Sequence, residues 1–223
     1  MATVPNYLAR TYWWAYVHPR AVYLFERQWL VNLILWGNFA RLREMALDAL
    51  GPRLEGQTLQ IACVYGDLTP RLVARLAPAA RLDVVDVLPI QLQNLRAKLP
   101  HAEAASLICG DSAALSCETA HYDRALLFFL LHEQPEEVRR RTLAEALRVV
   151  RPGGQVVIVD YHRPRALHPL YLPMAAILAL LEPFALDLWR HEIVHWMPAE
   201  RAVTAISKRT FFGGLYQLVT ITV

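Results

Sequence analysis

A doubly wound α/β sheet is the fold this chain predicts, and three observations predict it. Between Gly51 and Arg163, short β-branched or aliphatic runs alternate with stretches of helical spacing, which calls for βαβ units and a parallel sheet. The first run lies in Thr58–Thr69, TLQIACVYGDLT, where Leu59, Ile61, Cys63 and Val64 give way to Tyr-Gly-Asp, a strand ending in a tight turn that feeds a helix. Landmarks then recur in order. Asp86 ends the next apolar run about twenty residues on, Gly110-Asp111 follows a third, Tyr122-Asp123 opens a fourth and Arg151-Pro-Gly-Gly precedes a fifth. A turn at Gly213-Gly214 between two expected strands adds an antiparallel C-terminal hairpin and brings the sheet to seven strands, mostly parallel.

Residues 1–50 come before the sheet and carry Tyr7, Tyr12, Trp13, Trp14, Tyr16, Tyr23, Phe25, Trp29, Trp36 and Phe39. Their spacing predicts helices, broken near His18-Pro19, that form an aromatic N-terminal cap or lid over residues 51–223. Strands are expected near 57–64, 81–87, 105–109, 123–131 and 154–161, and helices near 68–77, 89–99 and 135–150, the second opening at Pro89. An apolar helical insertion spans about 164–197, and its run Leu170–Leu181 has no charge, so it is either buried or membrane-facing. A short helix from Pro198, a strand around Ser207–Phe212 and a strand Leu215–Val223 close the chain.

At 223 residues, with 55% hydrophobic and 19% charged content, the chain suits one sizeable domain. A net charge of +3 excludes no partner by itself. In Arg139-Arg140-Arg141, Arg140 and Arg141 follow Glu136 and Glu137 at the i,i+4 spacing, and the run reads as a solvated helix face and not as a nucleic-acid patch. Cys63, Cys109 and Cys117 lack paired metal spacing and read as reduced, buried thiols. No secretory signal opens the sequence, and Trp29–Trp36 is too short to span a bilayer, so a cytoplasmic location is expected.

This order of strands and landmarks resembles a class I S-adenosylmethionine (SAM)-dependent methyltransferase. Its fingerprint, acidic-x-Gly-x-Gly-x-Gly, falls on Gln60, Ala62, Val64 and Gly66, so one glycine survives and the acid is an amide. Asp86, with Val87 beside it, sits where a carboxylate accepts hydrogen bonds from both ribose hydroxyls. Asp111 stands where the fold reads the adenine amino group, with Ser112 next to it, and would serve equally as a helix N-cap. Gly66 allows close backbone approach, and the following helix points its N-terminus at the cofactor's carboxylate. Asp67 supplies a carboxylate at a new place in the loop, while Val64 and Tyr65 replace the usual small residues, so the cofactor's amino-acid end is expected to sit differently.

Substrates of this fold bind at the carboxyl rim of the sheet, where Phe128-Phe-Leu-Leu-His132-Glu133-Gln-Pro135 emerges. His132 and Glu133 offer a general base and a metal ligand there, and Asp160, Tyr161 and His162 reach the same rim. Each also has ordinary structural uses. His191 and His195 have helical metal-ligand spacing but no fixed acidic partner, and read as core or surface histidines.

A closer resemblance rests on TYWWAYVHP at Thr11–Pro19, FERQWLVNLILWGNFARLR at Phe25–Arg43, ACVYGDLTPRL at Ala62–Leu72 and FFGGLYQ at Phe211–Gln217. Together these resemble the RquA family, the methyltransferase-like proteins of rhodoquinone biosynthesis. The resemblance implies conversion of ubiquinone to rhodoquinone, with a ring methoxy group replaced by an amino group, SAM as nitrogen donor and a divalent metal, manganese. For that chemistry Tyr65, Asp67 or His132 would manage the protons and His132, Glu133 and Asp160 would hold the metal, while the apolar runs Leu170–Leu181 and Trp29–Trp36 are expected to attach the chain to the inner-membrane surface.

Overall fold

The computed structural model describes residues 4–200 and 203–223. Seven strands form one sheet in the order β3-β2-β1-β4-β5-β7-β6: β1 Gln57–Ile61, β2 Arg81–Asp86, β3 Ser106–Cys109, β4 Tyr122–Phe128, β5 Val150–Tyr161, β6 Ala205–Phe211 and β7 Tyr216–Thr222. β1 to β5 pair in parallel, and β7 runs antiparallel between β5 and β6. This is the doubly wound class that the alternation of runs predicts. The register sets Ile61 against Val85 and Leu127, Asp86 against Cys109, and Phe128 against Val159. All five parallel strands therefore release their chains along one rim.

The central strands are covered on both faces and read as continuous apolar runs: Val156, Val157, Ile158 and Val159 on β5 are fully buried. Edge strand β6 exposes nearly every residue and carries Lys208 and Arg209, the charged composition that keeps an edge from pairing with another chain. Helices α1 Asn6–Thr11, α2 Pro19–Phe25, α3 Gln28–Ile34 and α4 Phe39–Leu50 precede the sheet. A π-helical turn, Trp13–Val17, separates the first two, and His18 caps α2 through Nδ1, which accepts from the Arg20 amide, with Pro19 behind it. α4 packs on β4, β5 and β7 and joins the main core through Phe39, Leu42, Ala46, Leu47 and Leu50. The remaining helices are α5 Leu68–Ala74, α6 Pro89–Lys98, α7 Glu136–Val149, α8 Tyr171–Leu181 and α9 Asp187–Arg190.

Several elements differ from the sequence reading. β4 stops at Phe128 because Phe129 turns into the left-handed region, φ 53°, and Leu131–Glu133 coil into a 3₁₀ turn. α5 ends at Ala74, since Arg75 and Ala77 bond in β-fashion to Leu54. Of the short helix expected from Pro198, residues 198–200 are not helical and 201–202 lie outside the described residues; a 3₁₀ turn at Ile193–Trp196 comes before it instead. Cys109 is exposed, because β3 is an edge strand.

The triple arginine is not uniformly a solvated face. Arg140 pairs with Glu136 at 2.7 Å as the spacing predicts, but Arg139 is fully buried, its guanidinium 4.3 Å from the Trp196 ring. In the first turn of α7 a buried arginine needs fixed acceptors, and the carbonyls of Leu131, Gln134 and Phe184 take that part, each at 2.9 Å, while Nη1 faces the Asp187 carboxylate at 3.7 Å.

Candidate functional site

At the rim, β1 hands over to a loop built on two left-handed residues, Ala62 at φ 72° and Gly66 at φ 80°. Ala62 occupies a fingerprint glycine position and keeps its backbone twist, with the Ala62 amide donating to the Val85 carbonyl. Gly66 is required twice over: besides its φ, an added Cβ would lie 2.9 Å from the Phe39 ring. Gln60 is buried and neutral. Its carboxamide donates to the Ala62 carbonyl and accepts from the Thr69 hydroxyl, both at 2.9 Å, so the loop's foot has an amide where the fingerprint has an acid.

Asp86 closes β2 beside this loop. Its carboxylate accepts from the Cys63 amide at 2.7 Å and the Leu88 amide at 2.8 Å. Burial pushes its acidity constant up to about 6, and those amides counter only part of the shift. Asp86, Val87, Asp111 and Ser112 line one cavity together with Ala62 and Tyr65. Asp111 closes a turn by accepting from the Ala113 amide at 2.9 Å, and no helix follows it. The Ser112 hydroxyl bonds to Thr142 and Gln134. Tyr7, Leu8 and Tyr16 roof the cavity, leaving about 60 Å³. A nucleoside cofactor needs several hundred Å³, so it can enter only if this roof shifts.

The other loop residues fall elsewhere. Tyr65 lines the cavity, but its hydroxyl donates to the Ala15 carbonyl and accepts from Gln91, both at 2.8 Å, and its ring stacks between Tyr16 and Phe25. Burial drives the phenol far above its ordinary range, so it keeps its proton. Asp67 does not line this cavity. Arg43 and Arg71 hold its carboxyl below the usual range against the opposing effect of burial. The Gly66 amide is taken by Glu26 at 3.1 Å, and Lys98 ties Glu26 to the carbonyls of Val64 and Gly66. Sequence reading missed this clasp between cap and cradle, whose members lie 72 residues apart.

The 3₁₀ turn after β4 carries His132 and Glu133 into a buried polar cluster. Asp160 accepts from the amides of Leu131, His132 and Tyr161 and contacts His132 Nδ1 at 2.9 Å. On the other side of the ring, His132 Nε2 faces Glu133 at 3.7 Å and Glu182 at 3.8 Å. Burial alone would push the imidazole down. Asp160, with Glu182 and Glu133 behind it, outweighs burial and holds the ring up at about 9. Burial raises Glu133 to about 8, with Glu182 adding to the rise and His132 and Tyr16 opposing it. Glu182 is also raised, and its Oε2 is buried without a hydrogen-bond partner. Glu133 lines the cavity that Asp86 lines, so a group that gains and loses a proton near neutrality faces the cradle. Arg139 supports this turn from beneath through the Leu131 and Gln134 carbonyls.

The manganese expected from the resemblance finds no ligand set here. Asp160 is committed to three amides and to His132 Nδ1. Among the described residues no group of three or more His, Cys, Asp or Glu has metal-holding geometry. His191 and His195 stack on each other at 4.3 Å, and Arg140 bonds to His195.

Residues 58–154 match the family model described as a methyltransferase domain. The demethylmenaquinone methyltransferase of Staphylococcus aureus is 26% identical over 148 residues, 66% of this chain and 60% of that protein, so the match spans less than two thirds of the relative's length. Phosphoethanolamine N-methyltransferase 2 of Haemonchus contortus, solved with S-adenosyl-L-methionine, superposes with a TM-score of 0.63 at 12% identity over 99% of this chain and 60% of that one. The N-methyltransferase NodS of Bradyrhizobium japonicum, solved with S-adenosyl-L-homocysteine, gives 0.55 at 15% identity over 82% and 83%. At these identities the structural likeness is one of fold.

Proposed function

We propose that this chain, whose residues 58–154 match a methyltransferase-domain model, is a SAM-dependent enzyme that converts ubiquinone to rhodoquinone, with SAM as donor of the amino group. The observation that carries this reading is the neutral foot of the cradle loop. Gln60, bonded to Ala62 and Thr69, leaves no carboxylate at the place where the fingerprint would hold the cofactor's amine as an ammonium ion. An amine that acts as nucleophile must be unprotonated, and Glu133, held up at about 8, is the cavity group matched to accepting its proton.

Asp86 would accept from the ribose hydroxyls and Asp111 from the adenine amine, and Glu133 lines the same cavity. When bound, the cofactor would supply its amino nitrogen to the ring carbon from which methoxide departs, as methanol, with the proton Glu133 took up; loss of a Cβ proton would then break the nitrogen–Cα bond by elimination, leaving a free amino group on the ring and an unsaturated cofactor remnant. Glu133, ionised beforehand beside the His132 imidazolium that Asp160 keeps oriented, takes the proton released at nitrogen and becomes a neutral carboxyl.

A second reading, methyl transfer to a quinone, is favoured by the match to a demethylmenaquinone methyltransferase. One experiment separates the two. The purified chain is incubated with SAM labelled with ¹⁵N at the amine and, in separate samples, with a short-tailed ubiquinone and with a short-tailed demethylmenaquinone, and the quinone products are weighed. Amination yields a lighter, ¹⁵N-bearing quinone from ubiquinone; a demethylmenaquinone product heavier by one methylene, without label, means methyl transfer.

A further inference from the structure

We propose that the exposed faces of α3 and α8 form one platform that docks on an anionic lipid surface. α8 has no charged residue, and of its side chains only Met174 and Leu178 are buried. Leu172 is 76% and Leu180 81% exposed, with Ile177 and Leu181 on the surface as well. α3 buries none of its residues, and Trp29 and Leu33 are 61% and 64% exposed. Although far apart in sequence, the two segments are joined where Trp36 Nε1 donates to Met174 Sδ at 3.0 Å. Scattered apolar residues on a surface are ordinary, but two contiguous apolar helical faces mark an interaction site.

Helix length, ring type and charge together select the partner. No helix among the described residues is long and apolar enough to cross a membrane, so contact with lipid would be interfacial. Trp13, Tyr23, Trp29 and Trp36 are exposed, and such rings settle at headgroup depth. The fringe is basic: over residues 4–41 Arg10, Arg20, Arg27 and Arg41 meet a single acid, Glu26, which Lys98 already holds. Arg163 and Arg165 lead into α8, and no acid falls between them and Leu181. Phosphate headgroups complement this arrangement of charge around grease.

The platform also leads inward. α8 ends on Glu182, whose carboxylate lies 3.8 Å from His132 Nε2, so an apolar molecule that leaves the lipid along α8 arrives at the polar cluster. This delivery role rests on the function proposed above; the docking does not.

The test is flotation of the full chain with phosphatidylcholine vesicles, with and without phosphatidylglycerol, in low and high salt. Wild type is expected to float with the anionic vesicles, less so in high salt. Leu172→Asp/Leu180→Asp, both changes on exposed positions, should lower the bound fraction by about tenfold or more. Circular dichroism checks the fold, and if the pair unfolds, Leu33→Asp on α3 carries the same expectation. Wild type that stays at the bottom, or an aspartate variant that floats equally well, overturns the proposal. So does light scattering that finds a dimer which the aspartates dissolve, because a second copy would then cover the face. SAM affinity is measured on the same samples: flotation without SAM binding would strike the proposed function and leave the docking standing.

Discussion

Replacing Asp86 with asparagine separates the cofactor role of this carboxylate from its structural one. Asp86 holds the Cys63 and Leu88 amides, so Asp86→Ala would leave two buried donors unpaired and confuse lost binding with lost fold. Asparagine keeps one acceptor oxygen and turns an NH₂ toward the other amide, at a cost of about 1–3 kcal/mol. Against that stands a relief. Held at about 6 in place of its ordinary 3.8, ionised Asp86 costs the folded state about 3 kcal/mol at neutral pH. The two effects nearly cancel, so the variant should be as stable as wild type to within about 2 kcal/mol. The sign with pH follows: the fold prefers Asp86 protonated, so its contribution to stability is lost as pH rises from 3.8 through about 6. The stability of the variant relative to wild type should grow across that window and level off above it. Binding has no such compensation. Exchanging two charge-assisted bonds to ribose for one neutral bond loses about 3 kcal/mol, roughly a hundredfold in Kd for SAM. Titration calorimetry beside thermal melts measures both quantities. A folded Asp86→Asn protein that binds SAM as tightly as wild type would refute the assignment of this cavity to the cofactor.

Two further predictions concern the proton and the loop. If Glu133 accepts the proton, turnover at saturating SAM should climb with pH as its carboxyl ionises and flatten above about 8, and Glu133→Gln should abolish both the climb and most of the rate; a rate indifferent to pH across that range would count against it. Gln60→Glu should place an acid against the Ala62 carbonyl, costing about 2 kcal/mol and lowering the melting temperature by roughly 4–8 °C. In that variant product formation should suffer more than SAM binding, and an equal loss of both would show that the loop serves binding alone.

Much of the sheet was legible along the chain, because a parallel strand buried on both faces must be apolar throughout and must end where polar turn residues begin. That is why Asp86 and Asp111 stand out at strand ends, and why adjacent ends share one rim. The same local logic misled at Arg139. Its spacing from Glu136 is that of a solvated helix face, yet three carbonyls from other segments were waiting to take its donors. Asp67 likewise looked free beside Gly66, and Arg43 from the preceding helix claims it.

By itself the sequence determined the order of strands, the rim and the identity of the acids placed along it, since these follow from local periodicity and from right-handed crossover connections. Only the tertiary structure decided which side chains meet: Glu182 with His132 across 50 residues, Glu26 with Lys98, Tyr16 over the cradle, and the greasy face of α8 left open when it could have been buried. Local patterns report what a residue prefers against solvent. The partner it finds depends on chain segments that arrive from elsewhere, and the energy of a buried charge depends almost entirely on that partner.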